Sequence, residues 1–494
     1  MKATLTVDKA YRLGSIDERI YGSFIEHLGR AVYTGIFEPE HDTADEQGFR
    51  KDIMALIRRL NIPLIRYPGG NFVSGYRWTD GIGPKENRPV RLDYAWKCTE
   101  PNQFGIDEFA DWCKKAGTDG MIAVNLGTGT PQGAADLVEY CNHPSGTYWS
   151  DLRIANGHRE PHNFKTWCLG NEMDGPWQTC AKTAEEYGRI ANEAAKMMKW
   201  VDPSIEVVAC GSSSMEMPTF PEWDRKVLEL SYDNVDFLSM HRYYGFRGNV
   251  NDFLASYVDL DRFLQAGIAA ADYVKAYKRS NKTIKISLDE WNTWYNTYDV
   301  NPQQIWTVAP PIHEQIYNVM DALTVGGLLC TILNHADRVK MGCIAQLVNC
   351  LAICMTEPNK GAFAQTTYYP FMHASLYGRG EALRSVMDAP KIATKHGDVD
   401  AIASAVTLDE ENGILTVFAM NMGDTDAEFT VNTHDFGKLV AKEHIVLDGE
   451  LTACNTFEQP ENVLPHEGKL PIVEGEKATV ILGKYSWNVL RFAV

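Results

Sequence analysis

The sequence contains no run of about 18 apolar residues, so nothing in it reads as a membrane-spanning helix. It is also poor in basic charge. Lys and Arg number 47 against 65 Asp and Glu, a formal net charge of −18. Phosphate binding needs a basic face and none stands out, which argues against a nucleic-acid partner. Paired CxxC motifs are missing, and the 11 cysteines are scattered and odd in number. Several lie inside apolar runs (Cys168 in TWCLG, Cys210 in VVACG, Cys343 in MGCIAQ). That pattern fits buried thiols in a reducing compartment better than a disulfide framework. The opening MKATLTVDKAYRLGSI lacks the apolar stretch and cleavage site of a secretory signal, so the expected location is the cytoplasm. Internal repeats and low-complexity tracts are absent too. What is present is an ordinary globular composition, 45% apolar and 23% charged, in which acidity reads as solubility. A length of 494 residues accommodates a large catalytic domain and a smaller one.

Short β-rich apolar runs alternate with amphipathic stretches through most of the chain. The strand candidates are YGSFIEHLG from Tyr21, IPLIRYPGG from Ile62, MIAVNLGTG from Met121 and KTWCLGNE from Lys165, then IEVVACGSS from Ile205, VDFLSMHRYY from Val235, IKISLDEWN from Ile284 and KMGCIAQLVN from Lys340. Between them, EQGFRKDIMALIRRL, IDEFADWCKKAG, AEEYGRIANEAAKMMKWV and HEQIYNVMDALTVGGLLCTIL carry apolar positions at helical spacing. Strict alternation implies parallel strands with right-handed crossovers. Eight units without a reversal signal favour an α/β fold closed as a (β/α)8 TIM barrel, over 15–385, rather than an open doubly wound sheet. After about residue 385 the helical period is lost. AIASAVTLDEENGILTVFAMNM reads as two strands around an Asn-Gly turn, and ATVILGKYSWNVLRFAV closes the chain as β-structure. Residues 386–494, joined by the strand-like 1–14, are expected to form an all-β sandwich.

Barrel enzymes carry their chemistry at the C-terminal ends of the strands. Read in turn, those ends offer Glu26-His27, Arg66, Asn71, Asn125, Asn171-Glu172, His241-Tyr243-Tyr244, Glu290-Trp291-Asn292 and Gln346-Asn349. Glu172 and Glu290 supply the carboxylate pair that glycoside cleavage needs, one to protonate the leaving oxygen and one to attack the anomeric carbon. Trp177, Tyr243, Trp291 and Trp294 offer flat faces for sugar rings. Spacing alone leaves open other barrel enzymes that use carboxylates for metals or proton abstraction.

Other features have plainer readings. LGTGTPQG loosely follows a dinucleotide loop, but its third glycine is a residue late and Pro131 explains a helix start. Cys343, Cys350 and Cys354, with His335 upstream, could suggest a metal site. Cys350 and Cys354 at helical spacing instead suggest a core-facing pair. His241 is expected to fix hydrogen bonds in the pocket rather than act as a base, and His27 is as readily structural as functional.

The segments LGNEMDGPW around Glu172 and SLDEWNTWY around Glu290 resemble the acid/base and nucleophile segments of glycoside hydrolase family 51. IYGSFIEHLGRAVYTGI and IRYPGGNFVSGYRWTDGIGP are similar to its first two strand-end segments. The likeness covers essentially the whole chain and implies a retaining, exo-acting α-L-arabinofuranosidase without metal or cofactor. It further implies that Asn171 contacts the hydroxyl beside the anomeric centre. Arg66 and Tyr243, with His241, would orient Glu290. Glu26, Asn71 and Gln346 would bind the terminal arabinofuranose, with Tyr243, Trp294 and Trp96 lining the site. The implied partners are arabinose-containing oligosaccharides or polysaccharides, and the implied assembly is a homo-oligomer, often a hexamer. A β-xylosidase, an endo-β-glucanase or a non-catalytic carbohydrate-binding protein on the same framework are the alternatives.

Overall fold

The computed structural model describes residues 1–295 and 304–494. Eight parallel strands close into a barrel in sequence order: Gly22–Phe24, Leu64–Tyr67, Asp119–Val124, Thr166–Leu169, Glu206–Cys210, Phe237–Tyr244, Lys285–Thr293 and Val339–Ile344. Each overlaps one of the eight expected runs, and five lie wholly inside theirs; the third and eighth strands begin one or two residues earlier, and the seventh ends one residue later. These strands are buried on both faces, which is why they read as continuous apolar runs rather than alternating ones. Phe24, Leu64, Met121, Cys168, Val208, Phe237 and Met341 fill the interior. Their outward neighbours, among them Ile65, Ile122, Trp167, Val207 and Leu238, pack with the helical shell.

The helices follow their sequence signals with one instructive shift. Ala184–Val201 starts at Thr183, whose hydroxyl accepts from the Glu186 amide while the Glu186 carboxylate accepts from the Thr183 amide. Pro131–Asn142 begins on Pro131, with Thr130 as its N-cap. Val319–Asn334 begins six residues after the expected His313, because Asn318 and Asp321 form a reciprocal cap there. This helix is buried on every side, so its apolar residues show little one-sided pattern. Glycines let it sit close to the β-sheet behind it. A Cβ at Gly326 would lie 2.5 Å from the Trp487 ring, and one at Gly327 would lie 3.0 Å from Met420 Cε.

That sheet has ten strands. Lys2–Ser15 lies inside it, antiparallel to Glu381–Asp388 and parallel to Ala427–His434. Leu5, Phe429 and Val480 share one core with Leu415, Val417 and Phe492, so the sheet folds over on itself as a β-sandwich. The alternate residues Phe418, Met420, Trp487 and Val489 face the other way, into the barrel's helical shell. The Asn-Gly turn joins Ile402–Asp409 to Ile414–Asn421, with Gly413 at φ 61°. The closing run, read as β-structure, forms two strands. Lys477–Leu482 pairs with Ala427–His434, and Ser486–Ala493 pairs with Ile414–Asn421.

Candidate active site

The C-terminal ends of the barrel strands surround a cavity of about 610 Å³ lined by Glu26, Asn71, Trp96, Glu172, Glu290 and Gln346, among others. Glu26 reaches it by close contact with a glycine pair. A Cβ at Gly70 would lie 2.4 Å from Glu26 Oε2, so a side chain there would displace the carboxyl. The Phe72 amide and the Trp96 indole N–H both donate to Glu26 Oε1, at 2.9 and 2.8 Å, while the Glu26 amide donates to Gln346 Oε1 at 3.0 Å. Burial nonetheless pushes the Glu26 carboxyl up to about 8, with a smaller contribution from the nearby charge of Glu290. Trp96 is presented by a turn that Asp93 stabilises, accepting from the amides of Ala95 and Trp96. Asp93 is itself pushed up to about 7 by burial.

Glu290 sits in a different environment. Arg66 donates to its Oε1 at 2.7 Å and the Tyr243 hydroxyl donates to its Oε2 at 2.8 Å. The same guanidinium donates to Asn171 Oδ1 at 2.7 Å, lies over the Phe24 ring at 4.7 Å, and is 3.5 Å from Asp289. Arg66 and Asp289 are both fully buried. Burial alone would raise the Asp289 carboxyl, but Arg66 and His241 outweigh it and hold the group below its ordinary value.

Glu172 follows a sharp turn at the end of the fourth strand, where Gly170 (φ 87°) and Glu172 itself (φ 42°) are both left-handed. Such backbone is uncommon for a residue with a side chain and is found where function fixes the geometry. His241 Nδ1 lies 2.9 Å from Glu172 Oε1, and the exposed Trp177 donates its indole N–H to Oε2 at 2.6 Å. His241 Nδ1 is 3.6 Å from Glu290, and Nε2 is 3.2 Å from Ser239 Oγ and 3.4 Å from Asp289. The imidazole expected at Glu290 is therefore closer to Glu172, and it bridges the two glutamates. Burial lowers its pKa, but the surrounding carboxylates Glu290, Asp289 and Glu172 prevail and raise it to about 10. One carboxylate oxygen of Glu172, one of Glu290 and a nitrogen of His241 lie within 4.8 Å of one another.

Most of the residues expected to touch sugar come together here: Glu26, Asn71, Trp96, Trp177, Tyr243, Trp294 and Gln346 line the cavity, and Asn171 is bonded to Arg66. Others lie elsewhere. Trp291 is fully buried in the outer core, because strand alternation turns it away from the side that holds Glu290. His27 bonds Glu100 and Tyr67. Asn125 caps its own loop, accepting from the amides of Gly127, Thr128 and Gly129, so these groups are occupied within the protein. Asn292 and Asn349 bond backbone carbonyls that hold the loops around the eighth strand. Cys350 and Cys354 are not a helical pair: Cys350 lies in a loop and donates to the Leu28 and Ile312 carbonyls, while Cys354 opens the strand Cys354–Thr356. His335 bonds Asp261 instead. Among the described residues, the groups with metal-ligand geometry are Glu172–His241–Glu290 and Asp107–His158–His162, and neither contains cysteine. Sequence reasoning passed over Asp289, His313 and the segment Ser213–Glu216. An acidic pair inside an otherwise apolar strand, Asp289-Glu290, was the available signal for the first; the loop residues carried none.

Two family models match the chain, the alpha-L-arabinofuranosidase 1 domain over residues 56–262 and the alpha-L-arabinofuranosidase C-terminal domain over residues 289–486. Intracellular exo-alpha-(1->5)-L-arabinofuranosidase 1 of Bacillus subtilis is 53% identical over 493 residues, covering 99% of both chains. The intracellular exo-alpha-(1->5)-L-arabinofuranosidase of Halalkalibacterium halodurans is also 53% identical, again over 99% of both. The solved structure of AbfB, a family 51 alpha-L-arabinofuranosidase from Bifidobacterium longum, superposes with a TM-score of 0.95 at 42% identity, covering 99% of each chain. The chain thus belongs to the α-L-arabinofuranosidases of glycoside hydrolase family 51.

Proposed function

We propose that this chain is a retaining, exo-acting α-L-arabinofuranosidase with Glu290 as nucleophile and Glu172 as acid/base. The observation that carries the reading is the approach of the two carboxylates to within 4.8 Å across His241. Double displacement uses carboxyl groups about 5–5.5 Å apart, whereas inversion leaves about 6.5–9.5 Å for a water. The asymmetry of partners supports this division of roles. Glu290 accepts from Arg66 and Tyr243, which fix both of its oxygens and orient it for attack. Glu172 has no arginine or lysine partner among the described residues and lies beside His241 and Trp177.

In the first step Glu290 attacks the anomeric carbon while Glu172 gives its proton to the departing oxygen, leaving a glycosyl ester on Glu290. Glu172 then takes a proton from water, which attacks the same carbon and releases arabinose. Asn171, fixed by Arg66, is the residue that would bond the hydroxyl next to the reacting carbon. Glu26, Asn71 and Gln346 form the polar end that receives the sugar's remaining hydroxyls. Below pH 8 Glu26 is largely a neutral acid, so its Oε2–H is a donor to a sugar oxygen.

A pocket with several buried polar groups rejects sugars that leave one unpaired. A xylopyranoside lacks the exocyclic hydroxymethyl of the furanose, so the arabinofuranoside is expected to be preferred by at least about tenfold in kcat/KM. The relatives named intracellular support a cytoplasmic enzyme acting on arabinose-bearing oligosaccharides. A panel of nitrophenyl glycosides, followed by arabinose release from short oligosaccharides and intact polymers, tests the reading. Preference for the xyloside or internal cleavage of cellulose would overturn it.

A further inference from the structure

An exo-acting arabinofuranosidase grips the same terminal sugar whatever that sugar is joined to. Selection among linkages therefore falls to the groups on the leaving-group side. That side adjoins Glu172, which must reach the leaving oxygen; Trp177, which donates to Glu172, lines the cavity together with Ser213, Ser214, Glu216, Arg242 and Arg247.

Glu216 is the unusual member of this set. Its side chain is 70% exposed to the cavity and solvent, yet it is held firmly. Arg242, itself buried, donates Nη2 to Glu216 Oε1 at 2.8 Å and bonds Oε2 through Nη1, and the Ser214 hydroxyl also donates to Oε2. Arg242 is fixed in turn by Asp259 at 2.7 Å and by the Tyr244 ring at 5.1 Å. It stands in the sixth barrel strand beside His241, so the Glu216 carboxylate is referenced to the strand that positions Glu172. The rest of the segment is pinned as well. Ser212 bonds buried Asp224, and Ser213 bonds Asp174, two residues after Glu172. Arg242, chiefly, holds the Glu216 carboxyl well below its ordinary value, so it is a charged acceptor across the neutral range. Oε2 is taken by two donors, while Oε1 accepts from Arg242 alone among the described residues and retains acceptor capacity.

We infer that Glu216 accepts hydrogen bonds from hydroxyl groups of the leaving-group sugar and helps set which linkage is cleaved. The inference rests on the arabinofuranosidase reading above. A charged, preoriented acceptor rewards a sugar that offers a hydroxyl at the right place and gives nothing to a leaving group without one.

The test compares α-(1→5)-arabinobiose, whose leaving sugar carries hydroxyls, with 4-nitrophenyl α-L-arabinofuranoside, whose leaving group has none to donate in the bond-breaking complex. Glu216→Ala and the shape-preserving Glu216→Gln are measured beside wild type, with melting temperatures for each. The expected result is a fall of about tenfold in the ratio of kcat/KM on arabinobiose to that on the aryl glycoside, larger for Ala than for Gln. Arabinotriose should follow arabinobiose. If Glu216 only pins its loop, both substrates lose by the same factor and the ratio stays put, which overturns the inference. Wild type inactive on both substrates would remove the arabinofuranosidase reading itself, and this inference with it.

Discussion

Glu26→Gln should make the protein more stable at neutral pH while making it a poorer enzyme. The carboxyl has a folded-state pKa of about 8 against an ordinary 4.5. A carboxyl raised in this way favours folding while protonated in both states and costs stability as pH climbs from 4.5, where the unfolded chain ionises, to 8, where the folded one does. Each unit is worth about 1.4 kcal/mol. At pH 7 the gap covers roughly 2.5 units, so the burden is up to ~3 kcal/mol, reduced by whatever water the cavity admits. Glutamine never ionises and so does not carry it. The substitution also keeps the local structure, because the Phe72 amide and the Trp96 indole both donate to the same oxygen, Oε1, which glutamine retains. Thermal unfolding of both proteins from pH 5 to 8 should show near-equal melting temperatures at pH 5. A lead of about 3 °C for the variant should open by pH 7, given an unfolding entropy that scales with chain length. Activity on the arabinofuranoside should fall by about tenfold or more, since the amide nitrogen that replaces Oε2 can donate but no longer accepts from a sugar hydroxyl. A melting difference that does not grow with pH, or a variant less stable at pH 7, would refute the reasoning.

Glu172→Ala should cripple cleavage of natural linkages while sparing glycosylation by acidic phenol leaving groups, and azide should then accelerate turnover; equal loss on all substrates without an azide effect would remove Glu172 from its role. Gly70→Ala should cut kcat/KM by about tenfold to a hundredfold as its main effect, because the added Cβ lands on the Glu26 carboxyl; unaltered kinetics would contradict that contact. Gly326→Ala should do the reverse, lowering stability by about 1–3 kcal/mol through overpacking against Trp487 while leaving kcat/KM of the folded enzyme intact. Thermal unfolding and steady-state kinetics at one temperature decide both.

The barrel was legible because each of its strands is an apolar run bounded by turn residues, and because polar residues at the C-terminal ends break the pattern where solvent and substrate enter. The same logic failed where neighbours decide direction. Trp291 follows a catalytic candidate in sequence but faces the opposite side of the strand. Cys350 and Cys354 have helical spacing, yet the chain between them is a loop closing the eighth strand end. The run from His313 looks helical throughout, but Asn318 and Asp321 cap the helix later and leave His313 at the cavity. ATVILGKYSWNVLRFAV hides a turn at Gly483-Lys484-Tyr485 because both of its strands are apolar. Glu216 had no pattern to announce it; its meaning comes from Arg242, 26 residues away.

The most direct test of the double displacement at Glu172 and Glu290 is the configuration of the first sugar released, followed by proton NMR during the opening turnovers on an aryl α-L-arabinofuranoside. An oxygen of each carboxylate within 4.8 Å fits the shorter spacing of double displacement better than the about 6.5–9.5 Å of inversion. The first product should therefore be α-L-arabinofuranose, with the β-anomer appearing only later by mutarotation. A β-anomer at the earliest time points would mean single displacement and would contradict the assignment of Glu290 as nucleophile.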